Sequence, residues 1–346
     1  MFIYYINARK GKIYILKSSF KKYIYKLENI HFLNNSIFLN NKEKLLEILS
    51  KNIGKNVTFV RNIFIGTKTS FENLLIILTK IISYCKMLDC KKIILDKKNF
   101  WFISNKINIK NNKYGFNIRV DNKLNIQDLN IIIDNTLNTI FYFNYNNPQN
   151  EINILKKEIL KNLPKVYINP KELFIYIKSG DIFINYNSLY YIQPPLCFYQ
   201  KILYNYYYNF SNVTIISEDN KNIIINKIIY EFPNITFKII SSKYNIAYLS
   251  KAYNIVGGNC NLLYFIIRLN NNLNNIWEFE TQYFINNENL NIEKAIQFSN
   301  SKKIILYKMV ASKNYQKIML DKENTFNKLY LMLNFGCKNN FTINQY

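Results

Sequence analysis

Leu173 to Ile182 reads Leu-Phe-Ile-Tyr-Ile-Lys-Ser-Gly-Asp-Ile. Its five apolar residues stop at Lys178-Ser179-Gly180-Asp181, which predicts a buried strand that runs into a tight turn. The turn carries a cation, a hydroxyl and a carboxylate. Ligands of α/β proteins collect where parallel strands end, so the turn is a candidate site. Taken alone, an ordinary Ser-Gly-Asp turn is the simpler interpretation.

The residues that follow alternate between short apolar runs and amphipathic segments. Predicted strands at 213–216, 236–240 and 255–256 alternate with predicted helices at 194–207, 223–230, 245–253 and 262–271. This alternation indicates a doubly wound parallel sheet. Because parallel strands end at one edge, we expect three polar or glycine-containing strand ends to converge there: Lys178–Asp181, Ser217–Asp219 and Gly257–Asn261.

The first half of the chain predicts a second α/β unit. A strand at 57–65, a helix at 71–88 and a strand at 91–95 form one βαβ unit, preceded by a hairpin at 2–16 and followed by a helix at 151–163. Prolines flank the junction after that helix. We therefore divide the chain into a strand-rich N-terminal extension (1–56), an N-terminal acceptor-side domain (57–165), a C-terminal nucleotide-sugar-binding domain (166–325) and a C-terminal tail (326–346).

The charge of the chain is strongly positive, at +24 over 346 residues. An excess of this size attracts anionic ligands. The basic residues are almost all lysine and form no dense block, whereas nucleic-acid proteins concentrate arginine where phosphate and guanine need a bidentate fork. The composition therefore disfavours nucleic acid as the partner. The chain has only four arginines: Arg9, Arg61, Arg119 and Arg268.

The cysteines and the single histidine, His31, form no metal-ligand or Cys–His pattern. A disulfide framework is not expected in a long chain with few cysteines, so a reducing, cytoplasmic location is predicted. No apolar run is long enough for a transmembrane helix. Peripheral attachment to an anionic membrane through the basic surface is left open. The five cysteines are Cys85, Cys90, Cys197, Cys260 and Cys337.

The three strand ends together suit a nucleotide diphosphate. Gly257 and Gly258 precede a helix, whose first amide groups favour an anion. Lys178 adds a positive charge, and the acidic residues can accept hydrogen bonds from a sugar or a base. The sequence contains no dinucleotide fingerprint, P-loop or Asp-x-Asp pair, so a site without metal or cofactor is predicted. The predicted donor-binding residues are Ser179, Gly180, Ser217, Glu218, Asp219, Gly257, Gly258, Asn259 and Cys260.

Several segments resemble the fucosyltransferase-like GT-B glycosyltransferases, among them the C-terminal stretch Met309–Leu320. Ile175–Phe183 is similar to the His-x-Arg-x-Gly-Asp segment of that family, and Gln193-Pro-Pro-Leu-Cys-Phe-Tyr199 is similar to its Gln-Pro-Pro-Leu stretch. Ile215–Asp219 resembles the strand that ends in Ser-x-Asp. Ala252–Cys260 resembles the late turn that meets the donor phosphates. The resemblance covers about residues 57–320 and is most specific in 173–265.

The resemblance implies two Rossmann-like domains that face each other across a cleft. It further implies an inverting, metal-independent transfer of a sugar, usually fucose from GDP-fucose, to a hydroxyl of a glycan or similar acceptor. Lys178 then stabilises the β-phosphate and Asp181 orients Lys178 or the acceptor. Glu72 and Asn73 lie where the family has an acceptor-side Gly-Asn-Gln loop. Glu72 and Asp181 are both candidates for the general base.

The chain departs from the family pattern in four places. The Ser-rich turn reads Gly257-Gly-Asn-Cys260, the Gly-Asn-Gln loop is replaced by Thr67–Asn73, and two single positions differ. Lys178 replaces the arginine, so the charge is kept but the bidentate fork is lost. Tyr176 replaces the histidine. Three interpretations stay open: a working transferase, an inactive nucleotide-sugar-binding relative, and a binder of nucleic acid or anionic surfaces.

Overall fold

A computed structural model describes the second half of the chain almost continuously and the first half in part. The described residues are 2–7, 12–17, 22–26, 62–65, 71, 74–75, 78–79, 82, 92–96, 100–103, 106–109, 116–121, 131–134, 149–179, 192–258, 260–281, 292–297, 299, 303–320, 325–337 and 341–346. They form two compact units, 1–162 and 163–346.

The first unit contains an eight-stranded sheet. Its central strands β1, β8, β4, β5 and β7 are parallel, and antiparallel strands extend both edges in the order β3-β2-β1-β8-β4-β5-β7-β6. The strands are β1 (Phe2–Asn7), β2 (Lys12–Lys17), β3 (Lys22–Lys26), β4 (Asn62–Ile65), β5 (Lys92–Asp96), β6 (Lys106–Ile109), β7 (Phe116–Asp121) and β8 (Ile131–Asp134).

The predicted N-terminal hairpin and the predicted strand–helix–strand unit are both present in this sheet. β1 pairs with β2 in antiparallel register, and β4 pairs with β5 in parallel register. Between β4 and β5, the helical residues include Phe71, Leu75 and Leu78, whose side chains are buried at the predicted spacing. β1 also pairs with β8, so residues of the predicted extension and of the acceptor-side domain share one sheet. Helix α1 (Gln149–Asn162) ends the unit.

The second unit contains a seven-stranded sheet in the order β11-β10-β9-β12-β13-β14-β15, parallel except for the last strand. The chain is therefore an α/β protein with Rossmann-like sheets, as predicted. The strands are β9 (Glu172–Tyr176), β10 (Asn212–Ser217), β11 (Thr236–Ile239), β12 (Asn254–Gly258), β13 (Asn275–Glu280), β14 (Ile305–Val310) and β15 (Thr342–Gln345).

Helices cover both faces of this sheet, so its strands are buried on both sides and consist largely of apolar residues. On one face Leu173, Ile175 and Ile177 pack in a core with residues of α2, α3, α7 and α8. On the other face Phe174 packs against Tyr248 of α4. The helices are α2 (Leu196–Tyr206), α3 (Ile223–Glu231), α4 (Ser242–Leu249), α5 (Asn261–Leu269), α6 (Ile292–Gln297), α7 (Lys313–Leu320) and α8 (Thr325–Asn334).

The bounds of several predicted elements shift by a few residues in the structure. The helix predicted at 245–253 begins at Ser242 and ends at Leu249, because residues from Asn254 onward extend β12 beside β9. The last predicted region, 326–346, contributes α8 to the core and β15 to the edge of the sheet. Among the described residues, every helix is too short or too polar to cross a bilayer. The facing of two domains across a cleft stays a prediction.

Candidate functional site

The three predicted strand ends lie at the same edge of the second sheet. β9 is hydrogen-bonded to β10 on one side and to β12 on the other, and all three run in the same direction. Lys178 and Ser179 follow β9, Glu218 and Asp219 follow β10, and Gly258 ends β12. The topology thus brings distant parts of the sequence into one small region.

A hydrogen-bonded group, which we call the strand-end bracket, joins the ends of β9 and β10. It consists of Ser179, Asp219 and Asn222. The hydroxyl of Ser179 donates to Asp219 Oδ1 and accepts from the backbone N–H of Asn222 at 3.1 Å. Asn222 Nδ2 donates to the carbonyl oxygen of Lys178 at 3.0 Å. The bracket fixes the backbone of Lys178 relative to β10.

Asn222 also begins helix α3. It is the N-cap residue, and its Oδ1 accepts from the backbone N–H of Ile224 at 3.1 Å. The side chain therefore satisfies an orphan helix amide and holds the turn after β9. The sequence predicts a helix that begins at residue 223, and the structure confirms this start. Asp219 accepts hydrogen bonds from Ser179 and, at 2.9 Å, from the backbone N–H of Lys221.

Glu218 is held by the tyrosine that replaces the family's histidine. Tyr176 is buried, and its hydroxyl donates to Glu218 Oε1 at 3.2 Å. This contact spans the ends of β9 and β10, in parallel with the strand-end bracket. The proton of the Tyr176 hydroxyl is therefore donated in a hydrogen bond to the Glu218 carboxylate.

A small recess, with a cavity volume of about 10 Å³ and partly open to solvent, lies where β9 and β12 end. Its lining comes from the segment that precedes α2, from α2 itself, from the ends of β9 and β12, and from Cys260, which precedes α5. The lining residues are Tyr176, Lys178, Ile192, Gln193, Pro194, Tyr199, Gly258 and Cys260.

The recess depends on the absence of a side chain at Gly258. A Cβ atom built there would lie 2.9 Å from Cγ and 3.0 Å from Cδ of Pro194. The proline ring is stiff, so any larger residue would push the wall of the recess. The close approach of β12 to the Gln-Pro-Pro segment explains the glycine.

Positive electrostatic potential from two sources meets at this recess. Lys178 supplies an ammonium group. α5 begins at Asn261 after its N-cap residue, Cys260, which makes no side-chain capping hydrogen bond. The amide groups of a first helical turn have no partner within the helix, and the helix dipole places partial positive charge at that end. The arrangement favours an anion such as phosphate.

The part of the lining that precedes and begins α2 is anchored by buried tyrosines and by a disulfide. The hydroxyl of Tyr315, on α7, donates to the carbonyl oxygen of Gln193 at 2.6 Å. Burial raises the pKa of Tyr315 and of Tyr199 well above the ordinary value of 10.0, so both stay neutral. Cys197 on α2 is disulfide-bonded to Cys337, 140 residues further along the chain.

The disulfide corrects the sequence-based expectation that the cysteines stay unpaired. Few cysteines and no short spacing argued against pairing, but only the fold shows that α2 and the segment after α8 meet, with the two Cα atoms 5.7 Å apart. The cysteines therefore no longer favour a reducing compartment, and a cytoplasmic location stays a prediction. Cys260 is buried and carries a thiol instead of a disulfide.

Comparison with solved structures identifies structural neighbours of this chain. No protein-family model matches this chain, and no curated protein matches it. Its fold is similar to that of a glycosyl transferase. This is the family 9 glycosyl transferase from Veillonella parvula DSM 2008, whose crystal structure aligns over 79% of this chain and 97% of that chain at 6% identity and a TM-score of 0.40. Such an alignment assigns no role to any residue.

The candidate residues separate into three groups. Lys178, Gly258 and Cys260 line the recess, whereas Ser179 and Asp219 belong to the bracket. Glu218 accepts from Tyr176, Gly257 is buried against Leu263, and the Ser217 hydroxyl is buried without a hydrogen-bond partner in the described part of the chain. Their roles in binding stay predictions. Five candidates lie outside the described residues: Glu72, Asn73, Gly180, Asp181 and Asn259.

Several residues that shape this region have no site role in the sequence-based predictions. Asn222 and Tyr315 are indistinguishable from other asparagines and tyrosines in a chain rich in both. Gln193 and Pro194 carried a signal, since the Gln-Pro-Pro segment was part of the family resemblance, but only the structure places them in the recess. Among the described residues, no group of three or more His, Cys, Asp or Glu could hold a metal ion.

A second polar group, the buried acid cluster, lies on β13, β14 and α6. It consists of Glu278, Glu280, Glu293 and Lys308. Lys308 Nζ lies 3.3 Å from Glu280 Oε1 and 2.5 Å from Glu293 Oε1. Glu278 is fully buried, and both of its carboxyl oxygens lack a hydrogen-bond partner in the described part of the chain.

Burial raises the pKa of Glu278 well above 4.5, and the negative charges of Glu280 and Glu293 add to this despite the opposing effect of Lys308. Burial also raises the pKa of Glu280, against the influence of Lys308. Glu278 therefore retains its proton where an exposed glutamate would be ionised. In register, Glu278 lies beside Gly257 of β12, so the cluster flanks the strand that leads to the recess.

Proposed function

We propose that this chain is a glycosyltransferase that moves a sugar from a nucleotide-diphosphate sugar to a hydroxyl acceptor. The proposal rests on one observation: Lys178 and the start of α5 converge on a recess at the carboxyl ends of β9 and β12. An ammonium group and a helix N-terminus that share a recess are suited to a diphosphate. The donor we propose is GDP-fucose, on the resemblance of residues 173–265 to the fucosyltransferase-like family.

The proposed reaction requires stabilisation of its leaving group, the nucleoside diphosphate. The bond between the sugar C1 and the diphosphate oxygen breaks with its electron pair leaving on the diphosphate, while the acceptor oxygen bonds to C1 from the opposite face. The acceptor hydroxyl gives its proton to a general base, for which Glu72 and Asp181 are the candidates. Lys178 and the α5 amides would stabilise the charge that develops on the departing phosphate. No step requires a metal.

Lysine in place of arginine changes how that charge is bound. An ammonium group acts as a point charge, whereas a guanidinium group can donate two parallel hydrogen bonds to one phosphate. We expect the strand-end bracket to compensate in part, because it fixes the backbone that carries Lys178. Preorganised charge stabilises a transition state more than mobile charge does.

Thermal-shift measurements provide the first test. The full chain is heated with GDP, UDP, ADP and their fucose, glucose and mannose derivatives, and we expect stabilisation by GDP and GDP-fucose above all. Turnover is then followed by release of GDP, first by donor hydrolysis and then with glycan acceptors. Stabilisation by none of these nucleotides would contradict the proposal.

Two substitutions connect the response to the recess. Lys178→Ala is expected to abolish GDP release, and Lys178→Arg to retain or improve it. Gly258→Ala is expected to weaken nucleotide binding by narrowing the recess, whereas Gly336→Ala, where an added Cβ has no neighbour within 4 Å, should leave it unchanged. Equal GDP release by wild type and Lys178→Ala would exclude the assigned role.

An inactive nucleotide-sugar-binding relative is the second candidate. The observation that favours it is the hydrogen bond between Tyr176 and Glu218, because a buried, engaged tyrosine stands where the family has its histidine. This candidate predicts stabilisation by GDP-fucose without GDP release under any acceptor condition. The same two measurements therefore separate the two candidates.

A further inference from the structure

The edge of the second sheet opposite the recess forms a continuous rim of loops. Because β9 to β12 are parallel, the loops that precede them, 163–171, 207–211, 232–235 and 250–253, lie together where the strands begin. Hydrogen bonds join them: Ser211 N donates to Lys171 O at 2.9 Å, and Asn254 Nδ2 donates to Pro170 O at 2.9 Å. We call these loops, together with the helix ends that lead into them, the strand-start rim.

Tyrosines on this rim are exposed to an unusual degree. Tyr208 is 93% exposed, Tyr167 89%, Tyr230 84% and Tyr204 68%. Tyr204 lies near the end of α2 and Tyr230 near the end of α3, so both sit where their helices lead into the rim. Aromatic side chains of this size normally bury much of their surface, and a group of exposed ones on one face marks an interaction surface.

The charge on the rim is positive. Lys165 and Lys171 are exposed. Of the nearby carboxylates, Glu172 is buried and accepts hydrogen bonds from Asn212 and Thr214 at 2.9 and 2.8 Å. Glu231 is exposed and accepts from Gln200 Nε2 at 2.8 Å. The rim therefore presents exposed phenol rings together with ammonium groups.

We propose that the strand-start rim binds the surface of an anionic lipid bilayer. Tyrosine favours the membrane interface because its ring enters the headgroup region while its hydroxyl remains hydrated. Lysines beside the rings meet anionic headgroups, and the net charge of +24 adds long-range attraction. RNA fits less well, because 161–171 and 204–211 contain no arginine for phosphate or guanine forks. Bound in this way, the second unit turns its recess edge away from the lipid.

The test is co-sedimentation of the full chain with vesicles. Phosphatidylcholine vesicles containing phosphatidylglycerol are expected to bind the protein at low salt, and pure phosphatidylcholine vesicles to bind it far less. Lys165→Ser/Lys171→Ser should lose roughly 25-fold in affinity, at roughly fivefold per lysine near an anionic surface. Tyr167→Ser/Tyr208→Ser/Tyr230→Ser should lose roughly tenfold in affinity for the vesicles, because three aromatic rings are no longer transferred from water to the bilayer interface.

Matched variants on other surfaces serve as controls. Tyr244 and Tyr330 are also exposed, at 47% and 60%, and Lys313 is exposed at the start of α7. Serine at these positions should leave vesicle binding unchanged. Circular dichroism and GDP stabilisation establish that each variant is folded, and the lysine and tyrosine variants test the rim independently of each other.

Three results would overturn the proposal: no binding of wild type to anionic vesicles at low salt, equal loss in the control variants, or full vesicle binding by both rim variants. Binding of the same variants to mixed-sequence RNA is measured in parallel. RNA that binds the wild type more tightly than the vesicles do, and that needs the same lysines but not the tyrosines, would assign the rim to nucleic acid instead. None of these results depends on transferase activity.

Discussion

Polar groups on the two sides of β12 differ in how they are hydrogen-bonded. On the side of β9 and β10, the hydroxyl of Ser179 and the side chains of Asp219 and Asn222 bond to one another across two strand ends. On the side of β13, the carboxyl group of Glu278 is fully buried and makes no hydrogen bond in the described part of the chain. Both groups lie within a few residues of the recess edge of one sheet.

This difference indicates how each side of β12 affects the recess. A fully bonded group fixes geometry, and the strand-end bracket accordingly holds the backbone of Lys178. A buried acid without partners retains its proton instead, so its flank makes stability depend on pH. We therefore expect the bracket to control the position of the site and the acid cluster to control the conditions under which the unit is stable.

The largest effect is expected from the disulfide between Cys197 and Cys337. Cys197→Ser or Cys337→Ser should lower the free energy of unfolding by about 2–5 kcal/mol, because the disulfide closes a long loop. Urea unfolding with and without reductant measures it. The two single variants and the double variant should be equally destabilised, and reductant should affect only the wild type. Two free thiols at these positions in the purified oxidised protein would contradict the pairing.

Removal of the bracket is expected to cost less but to act locally on the site. Asn222→Ala removes an N-cap and a hydrogen bond to Lys178 O, so unfolding should become easier by about 2–3 kcal/mol. Stabilisation by GDP should also weaken. Asn220→Ala, at an exposed neighbour, is the control and should change neither quantity. If Asn222→Ala alters stability without altering the GDP response, the bracket does not position the site.

The smallest effect is expected at the acid cluster, and it depends on pH. Because the pKa of Glu278 is raised in the folded state, its contribution is favourable below its ordinary value of 4.5 and is lost as pH rises toward the folded value. Glu278→Gln should therefore gain stability relative to wild type as pH increases from 5 to 8. A gain of a few degrees in Tm is expected, since about 1 kcal/mol corresponds to 2–4 °C in a unit of this size.

A second variant distinguishes this effect from a general one. Glu293→Gln removes an ion-pair partner of Lys308 and should lower Tm at neutral pH. Changes in Tm of opposite sign for Glu278→Gln and Glu293→Gln at neutral pH would show that the two carboxyl groups contribute differently to stability. A pH-independent difference between Glu278→Gln and wild type would mean that Glu278 is ionised in the folded protein.

Much of the fold could be predicted from local sequence patterns. The five apolar residues from Leu173 predicted β9, and the alternation of apolar runs and amphipathic segments predicted the parallel sheet that brings three strand ends together. Such features depend on neighbours in sequence, so one sequence is enough to reveal them.

Contacts between distant residues were not accessible in this way. The pairing of Cys197 with Cys337, the hydrogen bond from Tyr315 to Gln193 and the capping role of Asn222 each depend on which elements meet in space. Nothing in the neighbouring residues distinguishes these side chains. The acid cluster was missed for the same reason, since Glu278 and Lys308 meet only through the pairing of β13 with β14.

The central position of β9 has a consequence for how the chain is made. β9 is the first strand of its sheet to be synthesised, and one of its edges pairs with β10 soon afterwards. Its other edge must wait for β12, where Leu173 pairs with Asn254. During that interval an apolar strand edge is open to other chains, and such edges promote aggregation. We expect ribosome-bound chains that end before residue 254 to recruit chaperones, and chains that extend past β13 to release them.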